Sequence, residues 1–397
     1  MGSSSGRQVP LSPEERLLLA CARVHPDDPA RREIDEVVRA GVNWEAVLER
    51  SNREGISSLV YAHLQGLPSA ASRMPAAILS ELQGISQGNW ARNSVLTEAW
   101  SEVMALFEGA GIQAITHKGM ALIHLVYPDK GLRPMADIDL LVRPADLPAV
   151  RRTLQAAGFR TPGEALEAEE AFRGYLHFVR DSTVIDLHWE IAHYTRFDGI
   201  VRVDHAGIWR RALPLAVGRT RGLTLCPEDM LLHLALHLTL GSEFGRLIWF
   251  SDIDAVLRRS AGDLNWERLL EEATRWRLST ILAYTLLVAR DSFGSPLPSA
   301  VVPRLLPGRL RQAALGTVMD AGHPWSLRGH PDDIKGYLAE TLLMDRLRDM
   351  LRVLGKSLFP CRSWLKFHYS LTSWWQVSLH RVLHPLRVCY LAAKHLH

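Results

Sequence analysis

The chain is poor in cysteine and has no long apolar run. Its four cysteines, Cys21, Cys226, Cys361 and Cys389, are scattered, with no CxxC or CxxxC spacing. That excludes a cysteine zinc site and a disulfide framework, and a reducing compartment fits best. No window reaches the roughly 18 uninterrupted apolar residues that a bilayer span needs. The opening MGSSSGRQVP lacks the apolar stretch of a signal peptide, so a cytoplasmic protein is expected. Net charge is small as well: +3 over 397 residues, too little, taken whole, to argue for a nucleic-acid partner. Hydrophobic content of 47% against 22% charged is that of an ordinary globular chain, long enough for two or three cored domains.

Periodicity divides the chain. Residues 1–11 are Ser/Gly-rich and expected to be disordered; the GxSxG match there has no strand before it or helix after it, so it is no nucleophile elbow. Ser12 caps a helix with Pro13 at its first position and Glu15 three on, and 12–110 reads as mostly helical. At Gly111 the period changes. GIQAITH reads as a strand, Lys118-Gly119 as a turn and MALIHLVY as a short helix; a strand, a helix over 144–157 and a hairpin at YLHFVR–DS–TVIDLHWEIA follow. This mixed α/β core spans 111–215. Residues 216–294 return to helix, 295–349 form a proline-rich linker and a helical region, and 350–397 a tail of different composition.

The stretch that carries chemistry is GLRPMADIDLLVR, Gly131 to Arg143. Asp137 and Asp139 stand two apart in a strand, so both project to one face. Ile138, Leu140 and Val142 occupy the other, with Leu141 the break in the alternation. By itself a DxD is as often a solvated strand end as a metal site. Asp186 in the hairpin supplies a third carboxylate, and three acids can hold two Mg²⁺ ions around an in-line displacement. Lys118-Gly119 lies between a strand and a helix N-terminus, where glycine permits close backbone approach to an anion. Arg133 could neutralise a phosphate oxygen bidentately. His188 shares a strand face with Asp186, either as a substrate contact or as a hydrogen-bonded neighbour. The order of these features points to metal-dependent phosphate chemistry.

HKGMAL, RPMADIDLLV and VIDLHWE together resemble a bacterial family of nucleotidyltransferases in the DNA-polymerase-β-like superfamily. The likeness extends more weakly to MLLHLALHL and RLIWFSDIDAVL, over about residues 40 to 290. The resemblance implies an α+β fold: a small mixed sheet with flanking helices, set between helical N- and C-terminal regions. It also implies Mg²⁺ bound by Asp137, Asp139 and Asp186, with Lys118 and Gly119 at the phosphates. The substrate would be a nucleoside triphosphate, ATP favoured, with pyrophosphate leaving and a hydroxyl of a small molecule, sugar, peptide or protein as acceptor. Many superfamily members have Gly-Ser at the phosphate turn; here Met120 follows Gly119, so the serine contact is missing. The rival readings are transfer to RNA, as by a toxin, and a non-catalytic nucleotide-binding scaffold.

Other matches carry less. Asp252 and Asp254 repeat the letters of DID, but on a helical period, where i and i+2 point about 200° apart. Asp252 is expected to orient an Arg or His instead. His233 and His237, four apart with no acidic neighbour, read as packing histidines rather than a zinc pair. Gly355-Lys356-Ser357 lacks the first glycine of a P-loop. From Met350 to His397 there is no acidic residue, while seven Lys/Arg interleave with aromatics. Such a segment suits an anionic surface, RNA or an acidic partner, or simply caps the body.

Overall fold

The computed structural model describes residues 10–161, 163, 174–192, 195–241, 245–318 and 334–394. The expected disorder at the N-terminus thus lies, up to residue 9, outside the described residues. The fold is α+β, a single mixed sheet with helices on both faces. Six strands form it: β1 (Ala114–Thr116), β2 (Ile138–Val142), β3 (Tyr175–Arg180), β4 (Thr183–His188), β5 (Leu213–Val217) and β6 (Thr220–Thr224). Their order is β3-β4-β2-β1-β6-β5. The β3/β4, β1/β2 and β5/β6 pairs are antiparallel, and β2/β4 and β1/β6 are parallel.

Each outer hairpin turns on two residues, with Asp181 at φ 52 in one and Gly218 at φ 58 in the other, as the right-handed twist of the flanking strands demands. The β5–β6 hairpin extends the sheet beyond residue 215, the end of the α/β core expected from periodicity. LPLAV and TRGLT are short and their outer positions are exposed, so they lack a strong alternation.

The break at Leu141 has a packing cause. All five residues of β2 are buried. Ile138, Leu140 and Val142 join a cluster with Trp100, Val103 and Phe107 of the 34-residue helix α1 (Ala76–Gly109). Leu141 faces the other way and joins Ile115, Ala121 and Leu231 in the larger helical core. The face that carries Asp139 is therefore open at one end of the strand and sealed at the other. α1 also fixes the chain that leads into β2: buried Asn93 donates from Nδ2 to the carbonyls of Lys130 and Arg133, 2.5 and 2.7 Å away.

At the N-terminal end the capping box forms as the sequence implies, Ser12 Oγ accepting from Glu15 N and Glu15 from Ser12 N. The proline-rich segment 295–309, expected to be a linker, is packed instead. It contains the short helix α4 (Val301–Leu305), and Val301, Val302 and Leu305 are buried.

Candidate active site

Parallel pairing of β2 and β4 sets Asp139 directly beside Asp186 in register, so their carboxylates share one face. Asp137 precedes β2 by one residue and has the same parity. Burial and the charges of Asp139 and Asp186 push the Asp137 carboxyl up to about 6. Burial acts the same way on Asp139 and Asp186 but is outweighed. Lys118 Nζ, 2.7 Å from Asp139 Oδ1, and His188 hold Asp139 well below the usual carboxylate range. His188 Nε2 lies 3.2 Å from Asp139 Oδ1 and 3.0 Å from Asp186 Oδ2, and brings Asp186 down to about 2. One imidazole thus ties the two strands' carboxylates together.

Lys118 begins helix α2 (Lys118–Leu125) and is placed by β1: the His117 amide donates to the Asp139 carbonyl at 3.3 Å. Its φ of 49° is a left-handed conformation that costs a lysine on the order of 1 kcal/mol, held here by the strand before it and the ion pair above it. Gly119 is needed for space, not for φ. A Cβ on it would stand 2.6 Å from Arg133 Nη1 and 2.9 Å from Met135 Sδ.

Arg133 is used differently from the sequence expectation. Its Nε and Nη2 both donate to the fully buried Asp252, each at 2.8 Å, and Tyr127 Oη donates to Asp252 Oδ1 at 2.7 Å. A carboxylate with no solvent exposure needs a charged partner, and the planar fork of Arg133 supplies it. The fork expected on a phosphate is engaged here, and only Nη1 points toward Gly119. Asp254 faces elsewhere, toward Arg258 at 2.9 Å and Ser295 at 2.6 Å, so the second DID holds no shared metal position.

No motif in the sequence assigns a role to His117. It is buried, its Nδ1 lies 3.1 Å from His233 Nε2, and its Nε2 has no hydrogen-bond partner. Burial keeps both rings well below the ordinary imidazole value, hence neutral. His117, Asp139 and His188 present ligand atoms within 4.8 Å of one another. The only signal in the sequence is position, directly ahead of Lys118-Gly119. His233 comes from helix α3 (Pro227–Leu236), so its approach depends on tertiary packing.

The geometry of the site fits a divalent cation. Three carboxylates crowd closely enough to raise Asp137, and Asp186 Oδ1 and His117 Nε2 are buried without hydrogen bonds. Carboxylate oxygens suit a hard ion such as Mg²⁺, and the imidazoles would also accept Mn²⁺ or Zn²⁺.

The model of an uncharacterised nucleotidyltransferase family matches residues 40–294. The chain belongs to this family. No curated protein and no solved structure matches it. Membership in a nucleotidyltransferase family implies a nucleotide substrate, and the matched span contains the whole sheet and every residue of the acidic cluster. No helix among the described residues is long and apolar enough to cross a membrane.

Two expected outcomes test how this family member is built. Gly119→Ala forces Arg133 or Met135 to move and is expected to cost about 1–3 kcal/mol in stability, read as a lower urea midpoint. His237 sits edge-on to Trp249, and burial pushes its imidazole down to about 3. Below its unfolded value near 6.5 the unfolded chain takes a proton that the folded chain refuses. Its stabilising contribution is therefore full above about pH 6.5 and lost as pH falls toward 3. His237→Gln is expected to reduce the stability lost between pH 7 and 5 by about 1–2 kcal/mol relative to wild type. Urea titrations at the two pH values measure it, and equal losses in both proteins refute it.

Proposed function

We propose that the protein is a Mg²⁺-dependent nucleotidyltransferase that moves a nucleoside monophosphate from a triphosphate, ATP favoured, to a hydroxyl, with release of pyrophosphate. The observation that carries this reading is the side-by-side placement of Asp139 and Asp186 on parallel strands, with Asp137 ahead of them and Lys118 above. Asp137, Asp139 and Asp186 would hold the cation, with His117 and His188 at the same end of the sheet. A divalent ion there supplies neutralisation of the triphosphate charge and a lower pKa for the attacking hydroxyl.

The chain's own groups do the rest. Lys118 exchanges its contact with Asp139 for a phosphate oxygen. The first turn of α2, which has no side-chain cap, offers backbone N–H donors to the same phosphates, which takes the place of the missing serine. His188 keeps Asp139 and Asp186 oriented through its shared Nε2–H. The acceptor hydroxyl gives up its proton to water, its oxygen forms a bond to the α-phosphorus as the bond to the β-phosphate oxygen breaks, and positioning and charge neutralisation account for most of the rate. Small molecules, sugars, peptides and proteins are the acceptors in order of preference.

The experiment is isothermal titration of Mg²⁺ with each nucleoside triphosphate into wild type and into Asp137→Asn/Asp139→Asn. Equal binding by the two proteins overturns the site. Mass spectrometry of a lysate incubated with the protein and α-labelled triphosphates then identifies the acceptor.

A further inference from the structure

The C-terminal end carries apolar side chains on faces turned to solvent. Helices α5 (Leu347–Leu358) and α6 (Trp374–Lys394) pack on each other through His384, whose Nε2 meets the Ser357 carbonyl at 2.9 Å. α6 buries Val377 and His384, seven residues apart. At about 100° per residue, Trp375, Leu379, Val382, Leu386 and Tyr390 fall within roughly 40° of the opposite direction, and each is between 48% and 68% exposed. Trp374, at the start of the helix, is 80% exposed. On α5, Leu347, Leu351 and Leu354 repeat the pattern at i, i+4 and i+7. Of the 17 large hydrophobic side chains exposed among the described residues, 11 lie between Leu347 and Tyr390. A helix that merely capped the body would turn a polar face outward.

Charge selects the partner. Residues 350–397 contain seven Lys/Arg and no Asp or Glu, and Arg381 and Arg387 are exposed on α6. A second copy of this face would set like charges against each other. RNA would use the aromatics and arginines but offers nothing to the aliphatic Leu379, Val382 and Leu386. An anionic lipid surface offers apolar depth and negative charge together, and it places Trp and Tyr at headgroup level. With no helix among the described residues long and apolar enough to cross, the helices lie in the interface plane.

We propose that the outer face of α5 and α6 binds an anionic lipid surface. The proposal does not depend on the nucleotidyltransferase reading.

The test uses the full chain and vesicles of phosphatidylcholine alone or with phosphatidylglycerol. Expected is co-sedimentation with the anionic vesicles only, weakened by high salt. It should be at least about ten-fold weaker for Leu379→Glu/Leu386→Glu and unchanged for Val95→Glu, an exposed position on α1. Trp374→Phe/Trp375→Phe keeps the stripe apolar; it should still bind but lose much of the fluorescence quenching by bromine-labelled lipid. That second variant keeps the test decisive if the double glutamate variant misfolds. Four results overturn the proposal: no binding at low salt, equal binding to neutral vesicles, RNA binding without vesicle binding, and self-association abolished by the glutamates without vesicle binding.

Discussion

Replacing Asp139 with asparagine is expected to remove cation-dependent triphosphate binding and to lower nucleotidyl transfer by about 10³-fold or more. The amide keeps the side chain's shape, so the effect isolates charge. Asp139 Oδ1 is the atom on which Lys118 and His188 both converge, at 2.7 and 3.2 Å. Its carboxylate is therefore the anchor of the cluster as well as a ligand. Asp137→Asn should behave differently in the cation-free protein. Burial and two neighbouring carboxylates already push Asp137 up to about 6, so neutralising it relieves repulsion and raises thermal stability without cation. Asp139→Asn leaves Lys118 and His188 facing a neutral amide and lowers it. Titration calorimetry and thermal unfolding, each with and without Mg²⁺, give the two readouts. If Asp139→Asn binds the Mg²⁺–triphosphate as wild type does, the acidic cluster is not the nucleotide site.

The parts of this arrangement that sequence showed are those set by local spacing. A period of two places Asp137 with Asp139, and the positive-φ position at Asp181 closes the β3–β4 hairpin that delivers Asp186. Helical period separates Asp252 from Asp254. What spacing cannot show is which element lies over which. Arg133 is 119 residues from Asp252, and His117 is 116 from His233; no periodicity within either segment encodes those encounters. Leu141 was a clue only half readable. It breaks the alternation because the strand is buried on both faces, and identifying what buries the second face requires the fold. The β5–β6 hairpin is illegible in the sequence for a related reason, since edge strands with exposed positions carry little pattern.

The buried pair Arg133–Asp252 is expected to give the largest single effect on stability. Asp252→Ala strands a guanidinium that is only 8% exposed, and Arg133→Met strands a carboxylate with no exposure at all. Each single change is expected to cost about 3–5 kcal/mol. The combined Arg133→Met/Asp252→Leu variant removes both charges and should cost far less than the sum, a coupling of about 3 kcal/mol or more. Tyr127, which donates to Asp252 Oδ1 at 2.7 Å, keeps the residual cost above zero because its hydroxyl then lacks an acceptor. The same double variant decides what Arg133 does for the site. If Arg133 serves only as the charge partner of Asp252, the double variant folds and binds the Mg²⁺–triphosphate within a few-fold of wild type. If Nη1 neutralises a phosphate, the variant folds equally well but loses affinity ten-fold or more, the share expected of a charge-assisted hydrogen bond. The geometry favours the charge-partner role, because two of the three guanidinium nitrogens are bonded to Asp252 and the third lies against Gly119 and the Pro134 carbonyl. That leaves Lys118 as the cation nearest the acidic cluster, so Lys118→Met is the variant that should lose triphosphate affinity while the Arg133–Asp252 pair stays intact.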